Sequence, residues 1–309
     1  MPALLSVLIK RRKFSRAIIY RVPSVLAFLY QVFATNRSLS YGAEVVGDPS
    51  DTFSENASSS VLRRFIRTAF IHMLKWQSKN ACVISYVTES SLQKRYPPAA
   101  TALHTHYSSI QLNDDDYHKK NTYTLNNKLK ILCIGNLSQP YKGCDFMLNT
   151  IAELHSNGQN IELSWIGGGE LLNDMKMLAQ SLNISKQVKF IGNLSERSQI
   201  SAMLDNTDIF VLASRQEGLP RVVIEAMARS VVCIATNVGG VTELLDSEHI
   251  IERDNINQLS KKIVYFTQLS DEQRLKIAQK NYLKATQYQD TLLAERRIKM
   301  YQSLLDASK

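Results

Sequence analysis

Two glutamates, Glu217 and Glu225, bracket a helix start in the segment EGLPRVVIEAMA. A Gly239-Gly240 pair and a third carboxylate, Glu243, follow one strand later. A helix N-terminus offers unpaired backbone N–H groups and the positive end of the helix dipole, both suited to phosphate. A carboxylate about two turns into the same helix can accept hydrogen bonds from hydroxyl groups. Lys142 precedes Gly143 between a predicted strand and a predicted helix, where an ammonium can neutralise a diphosphate. Gly167-Gly168-Gly169 follows another strand and lets backbone approach a ligand closely. Together these residue types suit a phosphorylated, hydroxyl-rich ligand.

Each feature also has a plainer reading. Glu217 can be a charge on the helix dipole, and Glu225 a half-exposed helix glutamate. Glu225 lies among Val222, Val223, Ile224, Ala226 and Met227, where a carboxylate needs a partner. Lys142 can be a solvated loop lysine. The glycine run can be a tight turn, and it is not the G-x-G-x-x-G of a dinucleotide site. Pro220 suits a first helical turn, where its missing N–H costs nothing.

These residues must be carried by the elements around them. The second half alternates predicted strands at 128–135, 161–167, 187–192, 208–213 and 232–236 with predicted helices at 143–157, 170–183, 197–205 and 219–229. Short strands joined by helical crossovers imply a parallel sheet covered on both faces. Ligands in such sheets sit beyond the carboxyl ends of the strands, where Gly135, Gly192, Ser214 and Gly218 also fall. The first half predicts strands at 17–22, 43–47 and 82–87, a helix at 24–35 and an amphipathic helix at 59–78. The polar stretch 113–128 is the expected linker, and the last forty residues read as helical. The fold class is therefore α/β.

Composition bounds the function classes. The chain has 309 residues, 44% hydrophobic and 21% charged, a soluble globular make-up with room for two domains. Four scattered cysteines, Cys82, Cys133, Cys144 and Cys233, fit a reduced, cytoplasmic protein better than a disulfide scaffold or a zinc site. The net charge is +9, and every charged residue before Glu44 is basic: Lys10, Arg11, Arg12, Lys13, Arg16, Arg21 and Arg37. Arg63, Arg64, Arg67, Lys75 and Lys79 form a second cluster. An anionic membrane surface at the inner face of the plasma membrane is a candidate partner for this charge, and a solvated surface is the plainer alternative. Nucleic acid is not expected, because no binding motif or aromatic platform accompanies the charge. The apolar run Val25 to Ala34 is too short for a bilayer. The N-terminus places its charges after its apolar residues, the reverse of a signal peptide.

Six segments in order, IGNLSQPYKG, WIGGGE, VKFIGNL, ISAMLDNTDIFVLAS, EGLPRVVIEAMA and NVGGVTELL, run through residues 129–246. This stretch resembles the donor domain of the family 4 glycosyltransferases, retaining enzymes with the GT-B fold. The resemblance implies two Rossmann-like domains: an acceptor-side domain at 1–112, a linker at 113–128, a donor-binding domain at 129–285, and a terminal helix at 286–309 packing back toward the first. It implies that Glu225 binds the ribose hydroxyls of a nucleotide and that Glu217 sits beside the donor sugar. Backbone of Gly218, Leu219, Pro220 and Val222 would hold sugar and diphosphate, and Gly168 would line the same donor site. Glu217, at the anomeric carbon, and Lys142, contacting the diphosphate and stabilising charge on the leaving group, would be the catalytic residues, and the backbone of Ile191, Gly192 and Asn193 would face the base. No metal and no cofactor are implied, only a nucleotide-diphosphate sugar as donor and a glycan or lipid-linked acceptor.

The chain departs from that family in three places. Asn136 stands where an arginine usually serves the diphosphate, and it becomes the donor-site candidate there. Ser230-Val231-Val232 replaces the usual Gly-x-Pro turn. RVPSV (21–25), EVVGDPSDTF (44–53) and YVTESSLQKRYPP (86–98) resemble only the later part of the acceptor domain. The N-terminal domain is thus expected to be incomplete, about seventy residues short of a two-domain chain. The family's histidine would fall near Gly47 or Asp48, which makes Asp48 a catalytic candidate. The expected function is sugar transfer with retention in cell-surface polysaccharide synthesis. A non-catalytic protein that binds nucleotide sugar or a partner without turnover is the alternative, and a GT-B epimerase or phosphorylase is a third reading.

Overall fold

The computed structural model describes residues 17–33, 40–52 and 61–308. Lys10, Arg11, Arg12, Lys13, Arg16 and Arg37 lie outside the described residues, as does the side chain of Arg63. The chain divides into two compact units, Met1–Ser109 with Asp290–Lys309, and Ile110–Gln289.

The first unit is built on four parallel strands, β1 (Ile18–Val22), β2 (Tyr41–Val45), β3 (Val83–Tyr86) and β4 (Leu103–His106), in that spatial order. Helix α1 (Val25–Phe33) joins β1 to β2, α2 (Val61–Asn80) lies between β2 and β3, and the short α3 (Ser91–Arg95) follows β3. The core gathers Tyr20, Val22, Ala43, Val45, Leu74, Ile84 and Tyr86. Gln77 of α2 donates from Nε2 to Gln31 Oε1 of α1 at 2.9 Å, so the two helices share a buried polar link as well as apolar contact. The terminal helix (Asp290–Ala307) packs on β2, β3 and β4. Gly42 permits that approach, because a Cβ there would lie 3.0 Å from Val83 and 3.2 Å from Leu304.

The second unit has six parallel strands and their helices. In chain order these are β5 (Leu129–Ile134), α4 (Cys144–Ser156), β6 (Ile161–Ile166), α5 (Leu172–Ser181), β7 (Val188–Gly192), α6 (Arg197–Asp205), β8 (Ile209–Leu212), α7 (Arg221–Ala228), β9 (Val232–Thr236), α8 (Val241–Leu244), β10 (Ile250–Ile251), α9 (Ile256–Gln268) and α10 (Asp271–Ala285). The spatial order is β10-β9-β8-β5-β6-β7. Strands β8 and β9 are buried at every position, as expected for strands covered on both faces. Helix α9 packs on α4, and α10 packs on α7.

Two expectations need correction. Residues 113–128 are not a free linker, because they belong to the second unit. Tyr123 is buried in its core, its hydroxyl donates to the carbonyl of Asp208 and accepts from Val232 N–H at 3.3 Å. Tyr117 Oη donates to Ala285 O at 3.1 Å and the backbone N–H of His118 to Ala228 O at 2.9 Å, so several bonds anchor a stretch whose composition reads as polar. Strand β4, sequence LHTH, was not expected, because four residues with two histidines carry no β pattern; it forms because β3 offers a parallel edge for it.

Candidate functional site

From β5 the chain steps outward to β6 and β7, then crosses back to β8, β9 and β10. Strand β5 pairs with both β6 and β8, so the direction of winding reverses between β5 and β8. Ligands in open parallel sheets bind in the crevice outside the carboxyl ends of the strands at such a reversal. The loop leaving β5 carries Lys142, and the loop leaving β8 carries Glu217.

The two side chains meet there. Lys142 Nζ lies 2.7 Å from Glu217 Oε1, with the side chains only 17% and 12% exposed. The lysine stem runs over Gly135, where a Cβ would lie 3.2 Å from it, and its ammonium stands 5.2 Å from the centre of the Tyr141 ring. Glycines set the closeness of these loops. Gly143 has φ of 71°, and a Cβ on it would meet the Ala213 carbonyl oxygen at 2.1 Å. Gly239 has φ of 50°, and a Cβ on it would lie 2.3 Å from the carbonyl oxygens of both Glu217 and Gly218. Gly240 N–H donates to Gly218 O at 2.6 Å. The glycine pair is therefore the backbone support of the Glu217 loop. Glu243 is not gathered with Glu225, since it lines a different cavity with Asp246, Lys280 and Lys284.

Helix α7 begins at Arg221, one residue later than Pro220 at its N-cap. Val222 is half-buried, and Leu219 is buried. Among the described residues the N–H groups of Gly218 and Leu219 have no hydrogen-bond acceptor. They precede the first-turn N–H groups, which a helix leaves unpaired. Glu225 lies on α7 beside a cavity of about 230 Å³ shared with Asp116, Ser195, Arg197, Ser201 and Arg229. Burial pushes its carboxyl above the ordinary value, Arg221 and Arg197 pull it back in part, and Asp116 adds to the rise. No hydrogen bond to its carboxyl is found among the described residues. The cavity wall is held by ion pairs, Arg197 with Asp116 at 2.8 Å and Arg229 with Asp205, whose Nε contact is 2.7 Å. Asp116 and Arg197 carry no sequence motif, and their pairing joins positions far apart in the chain.

The remaining donor-site candidates form one packed corner. Gly167 and Gly169, at φ of 126° and 150°, lie against the backbone of Gly135 and Leu137. Asn193 Oδ1 accepts from Gly168 N–H at 2.7 Å, and Gly192 has φ of 80°. Ile191 is exposed. Asn136 Oδ1 accepts from Ser138 N–H at 2.6 Å, an Asx turn that shapes the loop.

Asp48 lies in the first unit and is saturated by its neighbours. Tyr96 Oη donates to Oδ1 at 2.6 Å, Ser50 N–H to the same oxygen at 2.7 Å, and Arg95 Nη1 to Oδ2 at 2.5 Å. Burial raises its carboxyl, but these hydrogen bonds together outweigh burial and leave it below the ordinary value.

Among the described residues no three His, Cys, Asp or Glu side chains are placed to hold a metal ion, and no helix is long and apolar enough to cross a membrane. The chain is 28% identical to Protein CapJ of Staphylococcus aureus over 251 residues, 81% of this chain and 62% of that protein. It is 33% identical over 120 residues to the Escherichia coli UDP-Gal:alpha-D-GlcNAc-diphosphoundecaprenol alpha-1,3-galactosyltransferase, 38% of this chain and 30% of that protein. It thus spans less than two thirds of the length of either relative. A sucrose-phosphate synthase structure from Thermosynechococcus elongatus superposes with a TM-score of 0.78 at 16% identity, covering 99% of this chain and 78% of that one. That likeness shows the GT-B fold expected from the sequence. The model of the family described as Glycosyl transferases group 1 matches residues 114–284, more than half of the chain, and the chain belongs to that family.

Proposed function

We propose that this protein moves a sugar from a nucleotide-diphosphate sugar to a glycan or lipid-linked acceptor, with retention at the anomeric carbon, in cell-surface polysaccharide synthesis. The observation that carries the reading is the half-enclosed Lys142–Glu217 pair at the reversal between β5 and β8, 2.7 Å across. Lys142 and the N-terminus of α7 face the charge that develops on the leaving diphosphate, and such preorganised groups are usually the largest catalytic contribution. They can do this work without a metal. Glu217 stands beside the donor sugar, and the unpartnered N–H groups of Gly218 and Leu219 serve its hydroxyls and the phosphates. Glu225, half-buried and without a hydrogen-bond partner among the described residues, accepts from the ribose hydroxyls. Gly168 and the backbone of Ile191–Asn193 lie on the side of the base. Asn136, whose side-chain oxygen accepts from Ser138 N–H, shapes the loop around the phosphates through that Asx turn. Asp48, with three donors of its own, is an anchor of its unit and not a catalytic group. The lipid-linked substrate named for the Escherichia coli relative supports an acceptor of that kind here.

Sugar transfer and donor hydrolysis measured with a panel of UDP- and GDP-sugars test the reading, with Glu217→Ala and Glu225→Ala as controls. Turnover lost in both variants is expected. Donor binding without any turnover in the parent chain would favour the non-catalytic alternative.

The same reading places the first unit on an anionic membrane surface. Helix α2 has no acidic residue over Val61–Asn80. Phe65 and Trp76, 70% and 47% exposed, are about three turns apart and share a face. Arg64, Lys75 and Lys79 are exposed on the same helix. Each such cation contributes about 1 kcal/mol near anionic lipid. Flotation with liposomes should depend on anionic lipid, and equal flotation with neutral liposomes would remove the membrane from the proposal.

A further inference from the structure

Arg215 stands two residues before Glu217 and is not needed for any role assigned above. Its guanidinium is bonded on every side. Nη1 and Nη2 fork onto Asp145 Oδ1 and Oδ2 at 2.9 and 2.8 Å, and Nε reaches the Asp254 carboxylate at 2.9 and 3.0 Å. Nη1 also donates to Pro140 O at 2.8 Å, and the Arg215 backbone N–H donates to Tyr141 O at 2.7 Å. The side chain is mostly buried. Asp145 lies in the first turn of α4, so the bonds of this one residue flank Lys142 from both directions along the chain.

We propose that Arg215 is the positioning residue that holds Lys142 against Glu217; the inference rests on reading that pair as the diphosphate end of a donor site. Strands β5 and β8 pair only through Ile131–Leu132 and Ile209–Phe210. Beyond those residues no ladder fixes the loop of Lys142 relative to the loop of Glu217. Arg215 supplies that link, with one side chain and one backbone N–H bonded to Pro140, Tyr141 and Asp145. Two carboxylates already neutralise its charge, so it is not a free cation for phosphate. A planar fork matches this geometry, and a lysine could satisfy only part of it.

The test uses the full chain and reads the affinities for UDP and GDP against those for uridine and guanosine, by titration calorimetry, together with circular dichroism. In Arg215→Lys the nucleoside diphosphate should bind about tenfold more weakly while the matching nucleoside binds as before, since only the phosphate end is displaced. A role confined to stability would lower the melting temperature and leave that ratio unchanged in the folded protein. Asp254→Asn keeps the Asp145 fork and should shift the ratio about threefold, which gives a second reading if Arg215→Lys does not fold. A ratio unchanged in every folded variant overturns the positioning role alone. Failure of the parent chain to bind either diphosphate overturns the donor-site reading, and the positioning role with it.

Discussion

The Asp48 cluster and the Lys142–Glu217 cluster look alike at first sight. Each places a carboxylate beyond the carboxyl end of a parallel strand, within 2.7 Å of a basic side chain. They differ in what is left over. Asp48 receives a phenol, a backbone N–H and a guanidinium, and the sum of these holds it ionised. Among the described residues Glu217 has one charged partner, and the N–H groups of Gly218 and Leu219 beside it have no acceptor. A saturated carboxylate ties its own unit together, whereas one left with spare valence next to unpaired donors is arranged for something outside the chain. Position at a strand end does not distinguish the two, and the count of donors does.

The largest expected effect separates the clusters directly. Lys142→Met should lower kcat for sugar transfer by about 10²- to 10³-fold, the usual cost of one preorganised group facing developing charge. Asp48→Asn should leave kcat within about twofold, as expected of the anchor proposed for Asp48. A comparable loss in both would erase the distinction between anchor and site. Next in size is Gly239→Ala. At φ of 50°, with carbonyl oxygens of Glu217 and Gly218 2.3 Å from the new Cβ, the loop must move. Backbone strain of this type costs about 1–3 kcal/mol, and the affinity for a nucleoside diphosphate should fall about tenfold.

Much of the second unit was legible in its sequence because its strands are short apolar runs between turn residues, two of them, β8 and β9, buried at every position. IELSWIG was expected as a strand at 161–167 and forms one at Ile161–Ile166, and VCIAT at 232–236 matches residue for residue. The candidate site was legible in part for a related reason. Lys142, Glu217 and the glycine pair sit at strand ends, where turn chemistry marks them. Arg215 was not legible. Its partners Asp145 and Asp254 are 70 and 39 positions away, and nothing local in QEGLP or SRQ signals a clamp. The pairing of Asp116 with Arg197 is hidden in the same way. Asn136 was expected only as a donor-site candidate in place of an arginine, and the Asx turn its side chain forms with Ser138 is a local alternative that such residues readily adopt but that nothing in the sequence around it marks. The stretch 113–128 reads as a linker because composition averages over residues, whereas Tyr123 in the core, Asp116 paired with Arg197, and the backbone N–H of His118 bonded to Ala228 O tie it to the second unit.

The smallest effects sharpen the comparison through stability. Asp48→Ala should cost about 2 kcal/mol, because Tyr96 and Ser50 lose their acceptor. The Asp48 carboxyl is depressed in the folded chain, so its contribution is present above the unfolded value of about 3.9 and lost as pH falls through the folded one. The difference in stability between parent and Asp48→Asn, measured by urea unfolding, should therefore shrink on acidification. Glu225→Gln should behave in the opposite sense. Burial raises the Glu225 carboxyl, so ionised Glu225 costs the fold stability, and that cost appears as pH rises from the unfolded value through the folded one. The glutamine should be more stable than the parent by about 1 kcal/mol at neutral pH, and should bind the nucleoside diphosphate several-fold more weakly. Only a group kept for a ligand shows gain in stability with loss of binding. If Glu225→Gln instead loses stability, as Asp48→Asn does, Glu225 is a second anchor and the ribose contact must be sought elsewhere.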